Sequence, residues 1–141
     1  MMVAIVVGTH GNFSRELIRT CEMILGKLEN IGAVTLEPGE STDGLIEKYK
    51  STVKRLDAKD GVVFITDLFG GSPYNAACKI AVENDNIGVV AGVNLSMALE
   101  VFSLQNLTVE EIVELAQTSG KQGIKAFNKI SVNHNEEEED L

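Results

Sequence analysis

The chain has 141 residues, of which 44% are hydrophobic and 23% are charged, so its length and composition fit one domain with a core of its own. No apolar run is long enough for a transmembrane helix, and the N-terminus lacks the basic region and the cleavage site of a secretory signal. Its two cysteines form neither a disulfide framework nor a zinc-binding spacing. We therefore expect a cytoplasmic protein that does not insert into the membrane.

The formal net charge is −9, and the acidic run at 136–140 contributes five of these charges. An acidic surface repels the phosphate backbone of nucleic acid, so we expect no nucleic-acid partner, whereas a basic protein partner is compatible with this charge. The polar and acidic residues 133–141 predict a disordered tail that follows a single domain at 1–132.

Apolar segments typical of buried strands alternate with amphipathic helical segments along the chain. The strands are predicted at 3–7, 31–36, 61–66 and 87–93. The helices are predicted from Asn12 or Ser14 to Gly26, from Ser41 or Thr42 to Leu56, from an N-cap at Ser72, from Met97 to Leu104, and from a capping box that begins at Thr108.

This βαβαβαβα order predicts an α/β fold with three layers, in which helices cover both faces of a four-stranded parallel sheet. After the last helix, residues 126–132 (AFNKISV) contain three spaced apolar side chains, and we interpret them as an extra edge strand.

Parallel sheets of this kind bind ligands beyond the carboxyl ends of their strands, where the strand order reverses. His10 lies at such an end between two glycines, and it is the only histidine of the predicted domain. Asp67 ends the third strand at the same edge. If the two strands are adjacent, the carboxylate can accept the hydrogen on Nδ1 of His10, which leaves the lone pair on Nε2 as a nucleophile.

Gly70, Gly71 and Ser72 lead directly into the third helix, and the amides and positive dipole at a helix N-terminus favour anions. The three features predict a nucleophile, an orienting carboxylate and a phosphate site formed by Gly71 and Ser72. No serine elbow, Walker loop, dinucleotide fingerprint or metal-ligand cluster accompanies them, so no cofactor or metal is predicted.

Each feature also has a purely structural interpretation. A histidine at a strand end often satisfies local hydrogen bonds, Asp67 suits a loop or helix cap, and Gly-Gly-Ser-Pro is a common helix start. A functional site is favoured because all three features fall at one edge of one sheet.

Four stretches of the sequence resemble the IIA component of the mannose family of the bacterial sugar phosphotransferase system. They are VAIVVGTHG, EMILGKLENIGAVTLEPGES, VVFITDLFGGSPYNAA and VVAGVNLSMALE, and they extend from about residue 3 to residue 100. The resemblance implies a phosphotransferase with a phosphohistidine intermediate. Phosphorylated HPr would donate a phosphoryl group to Nε2 of His10, and His10 would pass it to the IIB component, which phosphorylates sugar entering through the IIC and IID membrane subunits.

The same resemblance implies that Asp67 orients the imidazole and that Ser72, with main-chain amides at Gly71 and nearby, contacts the phosphate. It also implies a homodimer in which the strand at 126–132 is exchanged between subunits and runs antiparallel at the sheet edge. Because the chain ends in an acidic segment rather than an Ala/Pro-rich linker, we expect the IIB component to be a separate chain.

Three other functions are open at the level of the sequence. A phosphotransfer subunit of a dihydroxyacetone kinase system would share the fold, and a small α/β enzyme would use His10 as a general base on a phosphorylated metabolite. A receiver-like regulatory domain is disfavoured, because the first strand does not end in the acidic pair that binds magnesium.

Overall fold

The computed structural model describes residues 1–130, and within that range strands and helices alternate as predicted. The strands are β1 (Ala4–His10), β2 (Ile31–Leu36), β3 (Val62–Thr66) and β4 (Ile87–Ala91). The helices are α1 (Phe13–Leu25), α2 (Thr42–Lys54), α3 (Ser72–Ala81), α4 (Leu95–Ser103) and α5 (Val109–Gln122).

The four strands form one parallel sheet in the order β2-β1-β3-β4. The chain moves from β1 to one side of the sheet and then returns to place β3 and β4 on the other side. The switch point of the strand order therefore lies between β1 and β3. Gly8 of β1 is paired with Thr66 of β3, so both strands end at nearly the same level of this edge.

Alternate residues of the strands supply two separate cores, one on each face of the sheet. Ile5 and Val7 of β1 belong to a core with α1, α4 and α5, and Ala4 and Val6 belong to a second core with α2 and α3. This arrangement confirms the predicted three-layer α/β fold. By the same alternation, His10 lies on the α2–α3 face.

The connection from β1 to α1 is fixed by buried hydroxyl groups. The Ser14 N–H donates to Oγ1 of Thr9 at 2.8 Å, and the Ser14 hydroxyl donates to the carbonyl of Val34 at 2.9 Å. Asn12 occupies the N-cap of α1 without making a side-chain capping bond. Because Thr9 precedes His10, these bonds anchor the strand end that carries the histidine.

Only part of the apolar surface of α1 is buried. Leu17 and Cys21 are buried, whereas Ile24 and Leu25 are exposed. Burial also raises the pKa of the Cys21 thiol, which favours its neutral form in the core.

Residues 126–130, the first five of the predicted edge strand, do not form a strand in this chain's own sheet. Phe127 and Ile130 are exposed. Residues 131 and 132 of that segment and the predicted tail at 133–141 lie outside the described residues, and strand exchange between subunits stays a prediction.

Within residues 1–130, no helix combines the length and the apolar character that crossing a membrane would require.

Candidate functional site

His10 and Asp67 meet at the switch point between β1 and β3. Oδ2 of Asp67 lies 2.8 Å from Nδ1 of His10, and it also accepts a hydrogen bond from the main-chain N–H of His10 at 3.0 Å. A carboxylate only accepts, so Nδ1 carries the hydrogen and the lone pair of the neutral imidazole is on Nε2. The predicted pairing of these two residues is therefore present in the structure.

The two side chains differ in their access to solvent. The imidazole of His10 is 50% exposed, whereas the side chain of Asp67 is 15% exposed. The second carboxylate oxygen of Asp67 is buried and has no hydrogen-bond partner among the described residues. Both hydrogen bonds that Asp67 accepts from the described residues come from His10, so the carboxylate orients this one residue.

A tight turn after Asp67 brings the start of α3 towards the imidazole. Gly70 has a φ of +80°, a left-handed conformation that favours glycine. The side-chain amide of Asn75 donates to the Gly70 carbonyl at 3.0 Å, and the Gly71 N–H donates to the Leu68 carbonyl at 3.0 Å. The first bond ties the turn to helix α3, and the second closes the turn itself.

Gly71 packs directly against the ring of His10. A Cβ atom at this position would lie 3.1 Å from Cε1 of His10 and 3.2 Å from the carbonyl oxygen of Leu68, so both neighbours would have to shift. The N–H of Gly71 already donates to Leu68. Gly71 therefore does not offer a free N–H to the predicted phosphate site. Its lack of a side chain instead allows the start of α3 to lie close to the imidazole.

The prediction that Ser72 is the N-cap of α3 is wrong by one position. Gly71 is the N-cap, with extended backbone and no side-chain capping bond, and Ser72 is the first helical residue. The physical reason is that the carbonyl of Gly71 already accepts the first helical hydrogen bond, from the N–H of Asn75 at 2.9 Å. Ser72 is half-buried, and within the described residues its hydroxyl makes no hydrogen bond, so it is available to an anion at the helix N-terminus.

An apolar rim stands beside the histidine. Leu68 is 59% exposed and Phe69 is 77% exposed, and the ring of Phe69 contacts that of Tyr74 at a tilt of 46°, with centroids 4.9 Å apart. Apolar side chains next to a half-exposed imidazole suit contact with a protein surface. Residues 1–130 contain no group of three or more His, Cys, Asp and Glu side chains suited to a metal ion.

Tyr49 of α2 is not among the site residues predicted from the sequence, but the structure connects it to the site. Tyr49 is fully buried, and its hydroxyl donates to the carbonyl of Pro73 at 2.8 Å. Its ring covers Gly8, where an added Cβ would collide with the tyrosine hydroxyl. A glycine inside an apolar strand is the one sequence signal for such a close approach.

The environment of Tyr49 keeps its hydroxyl protonated. Burial raises the pKa of Tyr49 well above its usual value, and the negative charge of Asp67 adds to this effect. The O–H group therefore remains a donor to Pro73 at neutral pH.

Comparison with known proteins identifies the family. The family described as PTS system fructose IIA component matches residues 4–117, a range that includes every candidate site residue. The mannose-specific EIIAB component of Escherichia coli (strain K12) is 43% identical over 129 residues, which are 90% of this chain and 40% of that protein. The fructose-specific EIIA component of Bacillus subtilis (strain 168) is 33% identical over 129 residues, which are 91% of this chain and 88% of that protein.

Solved structures agree with this assignment. A phosphotransferase system component EIIA from Streptococcus agalactiae superposes with a TM-score of 0.81 at 28% identity, over 89% of this chain and 98% of that one. A mannose/sorbose specific IIA subunit from Enterococcus faecalis has a TM-score of 0.83 at 24% identity, over 91% and 96% of the two chains, and shows the shared fold. The chain therefore belongs to the mannose- and fructose-type IIA family of the sugar phosphotransferase system.

Proposed function

We propose that this protein is a cytoplasmic phosphotransferase subunit that accepts a phosphoryl group from phosphorylated HPr on Nε2 of His10 and passes it to a IIB component. The observation that carries the proposal is the His10–Asp67 pair, in which Nδ1 is held by the carboxylate at 2.8 Å and the imidazole is half exposed. Sugar entering through the IIC and IID membrane subunits would be the final acceptor.

In the first step, the Nε2 lone pair of His10 attacks the phosphorus of the phosphohistidine on HPr, on the side opposite the donor nitrogen. A P–N bond forms to His10 as the donor's P–N bond breaks, and the donor nitrogen keeps the electron pair of that bond. His10 retains the hydrogen on Nδ1 throughout. The positive charge that develops on its ring is stabilised by Asp67, and the second step repeats the exchange towards the histidine of IIB.

The phosphoryl oxygens would be held at the start of α3. The Ser72 hydroxyl donates to one oxygen, and the positive end of the helix dipole favours the negative charge. The absence of a side chain at Gly71 leaves room for these groups beside Cε1 of His10.

Docking of the two protein partners would use the rim of Leu68 and Phe69 around the half-exposed imidazole. Each partner must leave after transfer, so we expect a transient interface of modest area. The excess negative charge of this chain would attract a basic face on the donor and raise the association rate.

Radiolabelled phospho-HPr tests the function. A phosphocarrier takes up one acid-labile phosphoryl group per chain and releases it to IIB, whereas an enzyme that uses His10 as a general base takes up no covalent label. Release to a dihydroxyacetone kinase subunit in place of IIB would assign the protein to that system.

Gly71→Ala should slow phosphoryl uptake by roughly tenfold, because the added methyl group displaces the imidazole from its position by a few tenths of an ångström. Single-turnover transfer from phospho-HPr measures the effect. Gly44→Ala is the matched control. Its added Cβ would also make a tight contact, at 3.3 Å from Oγ of Ser41, but neither residue belongs to the candidate site. Equal rates for the two variants would show that the space beside His10 is not needed for transfer.

We also propose a homodimer in which residues 126–132 pair with the partner's sheet, since β4 is an edge strand of the four-stranded sheet and unpaired edges tend to be covered. A chain cut after Lys125 should then sediment as a less stable monomer. A dimer that survives this truncation would rule out strand exchange, and a monomeric full-length chain would rule out the dimer.

A further inference from the structure

Tyr49 contacts both halves of the candidate site. Its ring packs on Gly8 of β1, two residues before His10, and its hydroxyl bonds the Pro73 carbonyl, one residue after Ser72. A single side chain of α2 thus spans the strand that presents the histidine and the helix that begins beside it.

The position of the Tyr49 hydroxyl is tightly constrained. The side chain is fully buried, and its ring meets Phe64 edge-on, with centroids 4.8 Å apart and an interplanar angle of 62°. With Phe64 as a neighbour and Gly8 beneath the ring, the ring has little room to move. The hydroxyl therefore acts as a fixed point to which the start of α3 is attached.

The start of α3 needs such an external attachment. Helices α2, α4 and α5 each begin with a side-chain cap, from Ser41, Asn94 and Thr108 respectively. Helix α1 has no such cap, but Oγ1 of Thr9 holds its start through the N–H of Ser14. Helix α3 has no side-chain cap, because its N-cap is Gly71, and a side chain at this position would crowd Cε1 of His10. The glycine that allows α3 to lie close to His10 therefore leaves this helix without the side-chain cap that usually stabilises a helix N-terminus.

From these contacts we infer that Tyr49 is a positioning residue for phosphoryl transfer, whose hydroxyl holds Gly71 and Ser72 at their working distance from His10. The inference rests on the proposed function, because it concerns the rate of transfer at His10. Tyr49 itself does not touch the phosphoryl group and acts through the Pro73 carbonyl.

The test compares Tyr49→Phe with Thr52→Val. The first removes only the hydroxyl that bonds Pro73. The second removes another buried hydroxyl of α2, one that accepts a bond from Arg55 at 3.3 Å, and so serves as a matched control for loss of stability. Circular dichroism confirms that both variants are folded at the temperature of the assay. Tyr49→Phe should itself fold, because it keeps the ring that packs on Gly8 and Phe64.

We expect Tyr49→Phe to lower kcat for transfer from phospho-HPr by about five- to tenfold. This factor corresponds to the net free energy of one hydrogen bond that no longer helps to hold the transition-state geometry. KM for phospho-HPr should be unchanged, because the exposed rim is intact. In Thr52→Val, both constants should stay within about twofold of the wild type. Wild-type kcat in folded Tyr49→Phe would overturn the inference, and so would an equal fall in both variants.

Nuclear magnetic resonance of the unphosphorylated protein separates failure of this inference from failure of the proposed function. If the wild type takes up no label, the function is wrong, but the resonances of the His10 ring and the Ser72 amide still report the geometry. Shifts in Tyr49→Phe that exceed those in Thr52→Val support the positioning role. Unshifted resonances in Tyr49→Phe contradict it.

Discussion

His10→Ala is expected to abolish uptake of the phosphoryl group from phospho-HPr while leaving the fold intact. The imidazole is half exposed at a strand end and contributes nothing to either core, so its removal costs little stability. No other histidine lies within residues 1–130. The measurement is incorporation of acid-labile label, with thermal unfolding as the check on the fold.

The matched control for this prediction is His134→Ala, which removes the one other histidine of the chain and should retain full uptake. Acid-labile label that persists in His10→Ala and disappears in His134→Ala would move the phosphorylation site to the C-terminal segment. Such a result would also mean that the His10–Asp67 pair takes no part in phosphoryl transfer.

Asp67→Asn should slow transfer by about 10⁴-fold, the loss seen when an orienting aspartate of a serine-protease triad is changed to asparagine. The amide has nearly the shape of the carboxylate but carries no charge, so it stabilises the developing imidazolium far less. Its NH₂ group can also donate to Nδ1, which drives the hydrogen of the ring onto Nε2. The nucleophilic lone pair is then lost from the nitrogen that faces the partner.

Single-turnover kinetics with phospho-HPr measure this loss, and Asp60→Asn is the control. The carboxylate of Asp60 also accepts a main-chain hydrogen bond, from the N–H of Met2 at 3.0 Å, but it lies before β3 rather than after it. Asp60→Asn should therefore transfer at nearly the wild-type rate. Full activity in Asp67→Asn would mean that Asp67 only stabilises the loop.

Much of the fold could be predicted because hydrophobic periodicity depends on local sequence. Continuous apolar runs indicated strands buried on both faces, and their alternation with amphipathic helices indicated a parallel sheet. His10 and Asp67 followed as candidates because both end such strands at one edge. Periodicity does not determine which strands are neighbours, so the contact between these residues required the observed order, with β1 beside β3.

The features that sequence patterns missed depend on contacts between distant segments. β1 continues through Gly8 to His10 because these residues pair with β2, and the ring of Tyr49 fills the space above Gly8. The N-cap of α3 is Gly71 rather than Ser72, and the imidazole of His10 lies against this position. Neither contact leaves a local pattern beyond an isolated glycine, since the second partner lies tens of residues away.

The most direct test of the account is to locate the phosphoryl group on the wild-type protein after reaction with phospho-HPr. Peptide mapping under alkaline conditions identifies the modified residue, and ³¹P and ¹⁵N magnetic resonance distinguish the two ring nitrogens. We expect a single phosphohistidine at His10, bonded through Nε2, which disappears when IIB is added. A phosphoryl group on Nδ1 of His10, on another residue, or on none would contradict it.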